Sequence, residues 1–136
     1  MKVILAFSVL VCLAVLDCEA KEEPLFSDVV GYMRRIIQID TTHADTIGEN
    51  NIIVRIRDLD PDDLNQIRER RDTTIIKDSL SGYFEMDSVC YGTTLRQGSG
   101  LVTVIVDSVN NPAWPNQLWH PTLEGPVDTL VLYLED

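Results

Sequence analysis

Residues 83–95 read Tyr83-Phe84-Glu85-Met86-Asp87-Ser88-Val89-Cys90-Tyr91-Gly92-Thr93-Thr94-Leu95. Phe84, Met86, Ser88 and Cys90 recur at every second position, with Glu85 and Asp87 between them. Successive side chains of a strand point to opposite faces, so this spacing predicts a long strand with one face in a core. Just upstream, residues 73–80 are rich in β-branched side chains, and Ser81-Gly82 predicts a turn joining the two runs as a hairpin. Further upstream, Ile52, Val54 and Ile56 alternate with Arg55 and Arg57, the pattern of a half-buried strand. Downstream, Gln97-Gly98-Ser99-Gly100 predicts a turn and residues 101–106 a strand. Residues 108–126 hold Pro112, Pro115, Pro121 and Pro126 beside Asn110, Asn111 and Gly125, and predict a long irregular loop. Residues 127–134 predict a last strand, and the nearly continuous Leu130-Val131-Leu132-Tyr133-Leu134 suggests burial on both faces.

The remainder divides between helix and loop. Val29, Val30, Met33, Ile36 and Ile37 fall at helical spacing behind Ser27, a suitable N-cap, and predict a helix over residues 27–38. Residues 40–51 predict a loop. Asp60-Pro61-Asp62-Asp63 predicts the capped start of a short helix whose basic end is Arg68-Glu69-Arg70-Arg71. The expected fold is a β-rich α+β domain. It has one N-terminal helix and about five mainly antiparallel strands, in a small sandwich or barrel-like sheet.

Lys2, the apolar run from Val3 to Leu16 and the exit Cys18-Glu19-Ala20 form the pattern of a secretory signal peptide cut after Ala20. The run is short beside the roughly 20 residues that a membrane helix needs. Residues 21–136 then form one secreted, extracellular, soluble domain without a membrane span. Its 10 basic and 20 acidic residues, from 11 and 22 in the whole chain, leave a net charge of −10. That charge disfavours nucleic acid and anionic lipid as partners. Cys12 and Cys18 leave with the leader, so Cys90 has no partner within the domain. It is either buried, as its phase with Phe84 and Met86 favours, or the bridge of a disulfide dimer. No Asn-x-Ser/Thr acceptor for N-glycosylation is present.

Two short motifs carry chemistry. Asp58, Asp60, Asp62 and Glu69 match positions one, three, five and twelve of an EF-hand calcium loop. Position six is Asp63 where that loop needs glycine, and a strand precedes it where the motif needs a helix, so no metal site is assigned. Arg68-Glu69-Arg70-Arg71 resembles the cleavage site of furin-like proprotein convertases, a likeness of four residues. It implies a precursor whose propeptide, residues 21–71, is removed to release residues 72–136 as the effector.

Catalysis has weak support. His43 and His120 are the only histidines, and no Gly-x-Ser-x-Gly or His-Glu-x-x-His accompanies them. No cofactor is expected. Trp114 and Trp119 lie in the proline-stiffened run 112–121, where rigid aromatics make efficient anchors for a protein or small-molecule ligand. The favoured alternative is that one or both rings fold back to close the end of the core, with Trp114 expected to be the more exposed. The reading is therefore a secreted, non-enzymatic binding or effector protein that acts through the Trp loop or a sheet edge. A processed precursor and a hydrolase with an unrecognised site are the alternatives.

Overall fold

The computed structural model describes residues 19–136. The leader expected over residues 1–20 lies outside them, apart from Glu19 and Ala20, which are exposed. Two sheets face each other. The first has β1 (Pro24–Gln38) at its centre, with β6 (Leu80–Thr93) antiparallel on one edge and β9 (Val127–Leu134) parallel on the other. β2 (Ala44–Gly48) follows β6 along the same edge of β1, and β5 (Ile75–Lys77) pairs with the start of β6. The second sheet is antiparallel, in the order β4 (Asp63–Thr73), β3 (Ile53–Asp60), β7 (Thr103–Val106), β8 (Gln117–Trp119). Both sheets send alternate residues inward. Val29, Met33, Phe84, Met86, Leu132 and Leu134 meet Val54, Ile56, Val104 and Val106 in one core. The described residues form nine strands where about five are expected, but the expectation of a β-rich fold of mainly antiparallel strands holds.

The expected N-terminal helix does not. Residues 27–38 lie within β1, and no helix occurs among the described residues. The apolar positions of this stretch fit a period of 3.6 as well as a period of 2, because it is apolar on both strand faces. Val29, Gly31 and Met33 point inward while Val30 and Tyr32 point outward and are half-buried. Gly31 decides between the two. A Cβ there would lie 2.0 Å from the Phe84 ring, so the bare backbone is what lets Phe84 fill the core. In a helix the same glycine would cost about 1 kcal/mol relative to alanine.

The short helix expected after Asp60 is also replaced. Asp60-Pro61-Asp62-Asp63 is a tight turn, with the Asp62 N–H donating to the Asp60 carboxylate at 3.0 Å, and it hands β3 to β4. Aspartate followed by proline suits the first two positions of a turn as well as a helix cap. The loop over residues 40–51 contains β2, and the loop over 108–126 contains β8. The hairpin between β5 and β6 turns at Asp78-Ser79, not Ser81-Gly82. Both residues have positive φ, 51° and 66°, which fits a two-residue type I′ turn. Gly82, at φ 81°, instead lets β6 pass beneath the Met33 carbonyl, 2.1 Å from where a Cβ would stand. β9 is not buried on both faces. Leu132 and Leu134 enter the core while Val127, Val131 and Tyr133 are exposed.

Candidate functional site: the two lateral seams

Where the sheets end, a sandwich has two lateral seams, and here they differ. At the first, β4 lies over the edge of β6. From Glu85 to Cys90 no strand among the described residues covers that edge, and side chains of the other sheet reach it instead. The Asp72 carboxylate accepts from the Glu85 N–H at 3.0 Å. Arg70 donates to the Asp87 carbonyl at 2.7 Å, and Arg68 to the Ser88 carbonyl at 2.5 Å. Asp58 accepts from the Cys90 N–H at 2.7 Å. Asp58 and Arg68 are cross-strand partners on β3 and β4, and Arg68, Arg70 and Asp72 share one face at a spacing of two. The polar spacing that sequence reading assigns to a helix end is the inward face of a strand.

Asp58 is 0% exposed and anchors this ladder. It accepts from Arg68 Nε at 3.0 Å and from a terminal nitrogen of Arg68 at 2.8 Å and of Arg70 at 3.2 Å. The hydrogen bond to Asp58 pushes the Arg68 guanidinium up from its already high value. A buried charge persists only when paired in this way.

The ladder fixes the placement of both short motifs. Asp58 is taken up by arginines. Glu69 points to the opposite face, where it accepts from Arg57 at 2.7 Å and Arg55 at 2.8 Å. Asp60 closes the turn. The four carboxylates of the calcium-loop spacing therefore do not converge. Among the described residues no group of three or more His, Cys, Asp and Glu side chains is placed to hold a metal ion. In the convertase-like motif, Arg68 and Arg70 are engaged and Arg71 is exposed in register with Arg55.

Cys90 is fully buried, but not by the phase that predicts it. Ser88 has φ 51° and shifts the alternation, so Val89 joins the core and Cys90 falls opposite Phe26. Burial pushes the thiol up, and Sγ lies 3.5 Å from the Gly92 carbonyl. A disulfide to a second chain would require β6 to leave β1.

At the second seam β8 lies over β9. β8 is three residues long, with Pro115 and Pro121 on either side. The link between the sheets is one amide: Gln117 donates to the Glu135 carbonyl at 3.0 Å and accepts from the Glu135 N–H at 2.8 Å. β9 runs eight residues, and among the described residues no strand pairs with the edge that faces away from β1. Its outward side chains Val127, Thr129, Val131 and Tyr133 include no lysine, arginine or proline, the usual devices that block an exposed edge. Beside its end a cleft of about 270 Å³ is lined by Asn116, Gln117, Leu118, Trp119, Tyr133 and Glu135.

The structure separates the two tryptophans. Both are half-buried against the core, and the expected contrast in exposure is not seen. Trp119 opens on the β8–β9 cleft, opposite Val104 in register. Trp114 lines another cleft of about 260 Å³ with Asn50, Asn51 and Asn110, and the Arg35 guanidinium lies 5.6 Å from its ring centre. The histidines lie apart as well. His43, in the turn between β1 and β2, faces Asp40 and Thr42 with the same nitrogen, Nδ1, at 3.0 and 2.8 Å. A catalytic relay needs one ring nitrogen on the acid and the other on the nucleophile. Hydrogen bonds from the Thr42 N–H, and the contacts with His43 and the Thr42 hydroxyl, hold Asp40 at about 2. His120 follows β8, with Nδ1 3.2 Å from the Thr103 hydroxyl.

Sequence reading identifies Trp119 but not the edge beside it, because strand order in a sheet is not visible in a single chain. One signal was available: no lysine or arginine follows Arg96. Comparison of the chain with protein-family models, with curated proteins and with solved structures finds no match.

Proposed function

We propose that the protein is an exported, non-enzymatic binding protein that takes up an extended segment of a partner along the open edge of β9. Export is supported by the charged, apolar and small-residue pattern of residues 1–20. Binding is supported most by the contrast between the edges: four main-chain groups of β6 between Glu85 and Cys90 are met by side chains of the other sheet, while β9 presents eight residues to a new strand. Added strands gain affinity from main-chain hydrogen bonds and specificity from pockets for alternate side chains. The Trp119–Leu118–Tyr133 cleft provides such a pocket at one end of the strand.

The test is a screen of random decapeptides on the secreted chain, with the site mapped by amide hydrogen exchange. Slowed exchange in Val127–Leu134 on binding is the expected result. Peptides that bind only elsewhere, the Trp114 cleft included, would remove this reading.

A further inference from the structure

We infer that the segment taken up at β9 is basic, with lysine or arginine at both ends of a short β-branched or aromatic run; this rests on β9 being the docking edge. All ion pairs among the described residues lie between residues 22 and 107. The carboxylates flanking β9 take no part in them. Glu124 is exposed before the strand, and Glu135 and Asp136 are exposed after it. Asp128 is different. Burial pushes it up, but hydrogen bonds from the Ser27 hydroxyl at 2.7 Å and from the Gly125 and Glu124 N–H groups hold it below its ordinary value. It fixes the turn into β9 and is unavailable to a guest.

At about 3.3 Å per residue, β9 spans about 26 Å, so acids stand at both ends of a segment about eight residues long. The exposed Tyr133 and the Trp119 ring give a guanidinium an aromatic face in the cleft. A second copy of the chain fits poorly. Two β9 strands paired edge to edge in antiparallel sense would bring Glu124 of each toward Glu135 of the other. Each chain without its leader also carries a net charge of −10.

The test uses three synthetic peptides with one Thr-Val-Thr-Val-Thr-Val core. One is flanked by Lys-Lys at both ends and one by Glu-Glu. The third has the lysine flanks and an N-methyl group on every core residue, so neither of its edges can pair as a strand. Affinity is measured at two salt concentrations, and exchange is followed over Val127–Leu134. The lysine-flanked peptide should bind about tenfold tighter than the glutamate-flanked one, weaken with salt and slow exchange in β9. Charge reversal by Glu124→Lys with Glu135→Lys should invert the preference. Equal binding of lysine- and glutamate-flanked peptides with β9 protected would overturn the basic partner and leave the docking edge standing. Equal binding of the methylated peptide would overturn the docking edge, as would failure of all three to bind. Protection of β9 in the protein alone that rises with its concentration would assign the edge to a second copy.

Discussion

The two seams are built from the same elements, an edge strand of one sheet above an edge strand of the other, and they solve the edge in opposite ways. On the β4–β6 side, Asp58, Arg68, Arg70 and Asp72 reach across to the Glu85 and Cys90 amides and to the Asp87 and Ser88 carbonyls. On the β8–β9 side one glutamine amide holds the end of β9, and the rest of that edge has no strand beside it among the described residues. An unpaired edge invites another chain, so its retention on one side only is the feature on which the proposed binding role rests. Charged side chains can replace a missing strand, but only where a buried acid holds the arginines in line.

The largest expected effect comes from breaking the closed seam. Asp58→Ala leaves Arg68 and Arg70 facing each other without their anion and frees the Cys90 N–H. Loss of one partner of a buried pair costs about 3–5 kcal/mol, read from urea denaturation. A loss below about 1 kcal/mol would show that the ladder is ornamental. The same variant tests the convertase-like motif. A furin-type protease should leave the native chain whole and cut Asp58→Ala after Arg71, because cleavage needs an extended, accessible backbone. Cutting both at the same rate would mean that β4 opens by itself.

Next come the tryptophans. Each is half-buried on the core, so Trp114→Ala and Trp119→Ala should each cost about 2 kcal/mol, below the range for a fully buried ring. Only Trp119→Ala should also weaken peptide binding, because only Trp119 lines the β9 cleft. Equal effects on binding would erase the distinction between the two clefts.

Acid probes the second sheet. Hydrogen bonds from Arg57 and Arg55 hold Glu69 below its ordinary 4.5, and those from Asn110, with Arg55 nearby, hold Asp107 below 3.8. Their folded values are depressed, so their contribution is fully present above about pH 4.5 and is lost as pH falls through the folded values. Stability should therefore be flat in this respect at neutral pH and decline in acid. Glu69→Gln with Asp107→Asn should flatten the decline, and an unchanged acid profile in that pair would refute the assignment.

The smallest effect belongs to the open seam. Gln117→Ala removes two hydrogen bonds to Glu135 and should cost about 1 kcal/mol, with fraying confined to the end of β9. A larger, global loss would mean that this amide holds the sheets together.

Legibility of these features in the sequence follows from where the apolar side chains go. β3, β6, β7 and the position of β9 were readable because Ile52, Val54, Ile56, Phe84, Met86 and the run from Leu101 carry the core pattern outright. β1 was misread because Val30 and Tyr32 cover its outer face and give it apolar residues at helical spacing too. β4 was misread because its inward face is Arg68, Arg70 and Asp72, a pattern that makes sense only once β6 is known to lie opposite. Cys90 is buried for a reason that its spacing from Phe84 and Met86 does not show, since the irregularity at Ser88 leaves no mark in composition. Trp119 stood out by residue type. The edge beside it did not, because β9 pairs with a strand about a hundred residues earlier.

Native-state amide hydrogen exchange on residues 21–136, resolved by residue, compares the seams directly. The Glu85 and Cys90 amides, which donate to Asp72 and Asp58, should exchange slowly although no strand among the described residues covers them. Within Val127–Leu134, amides should alternate between slow ones facing β1 and fast ones facing outward. Uniform protection along β9, or fast exchange at Cys90, would contradict the account of one closed and one open seam.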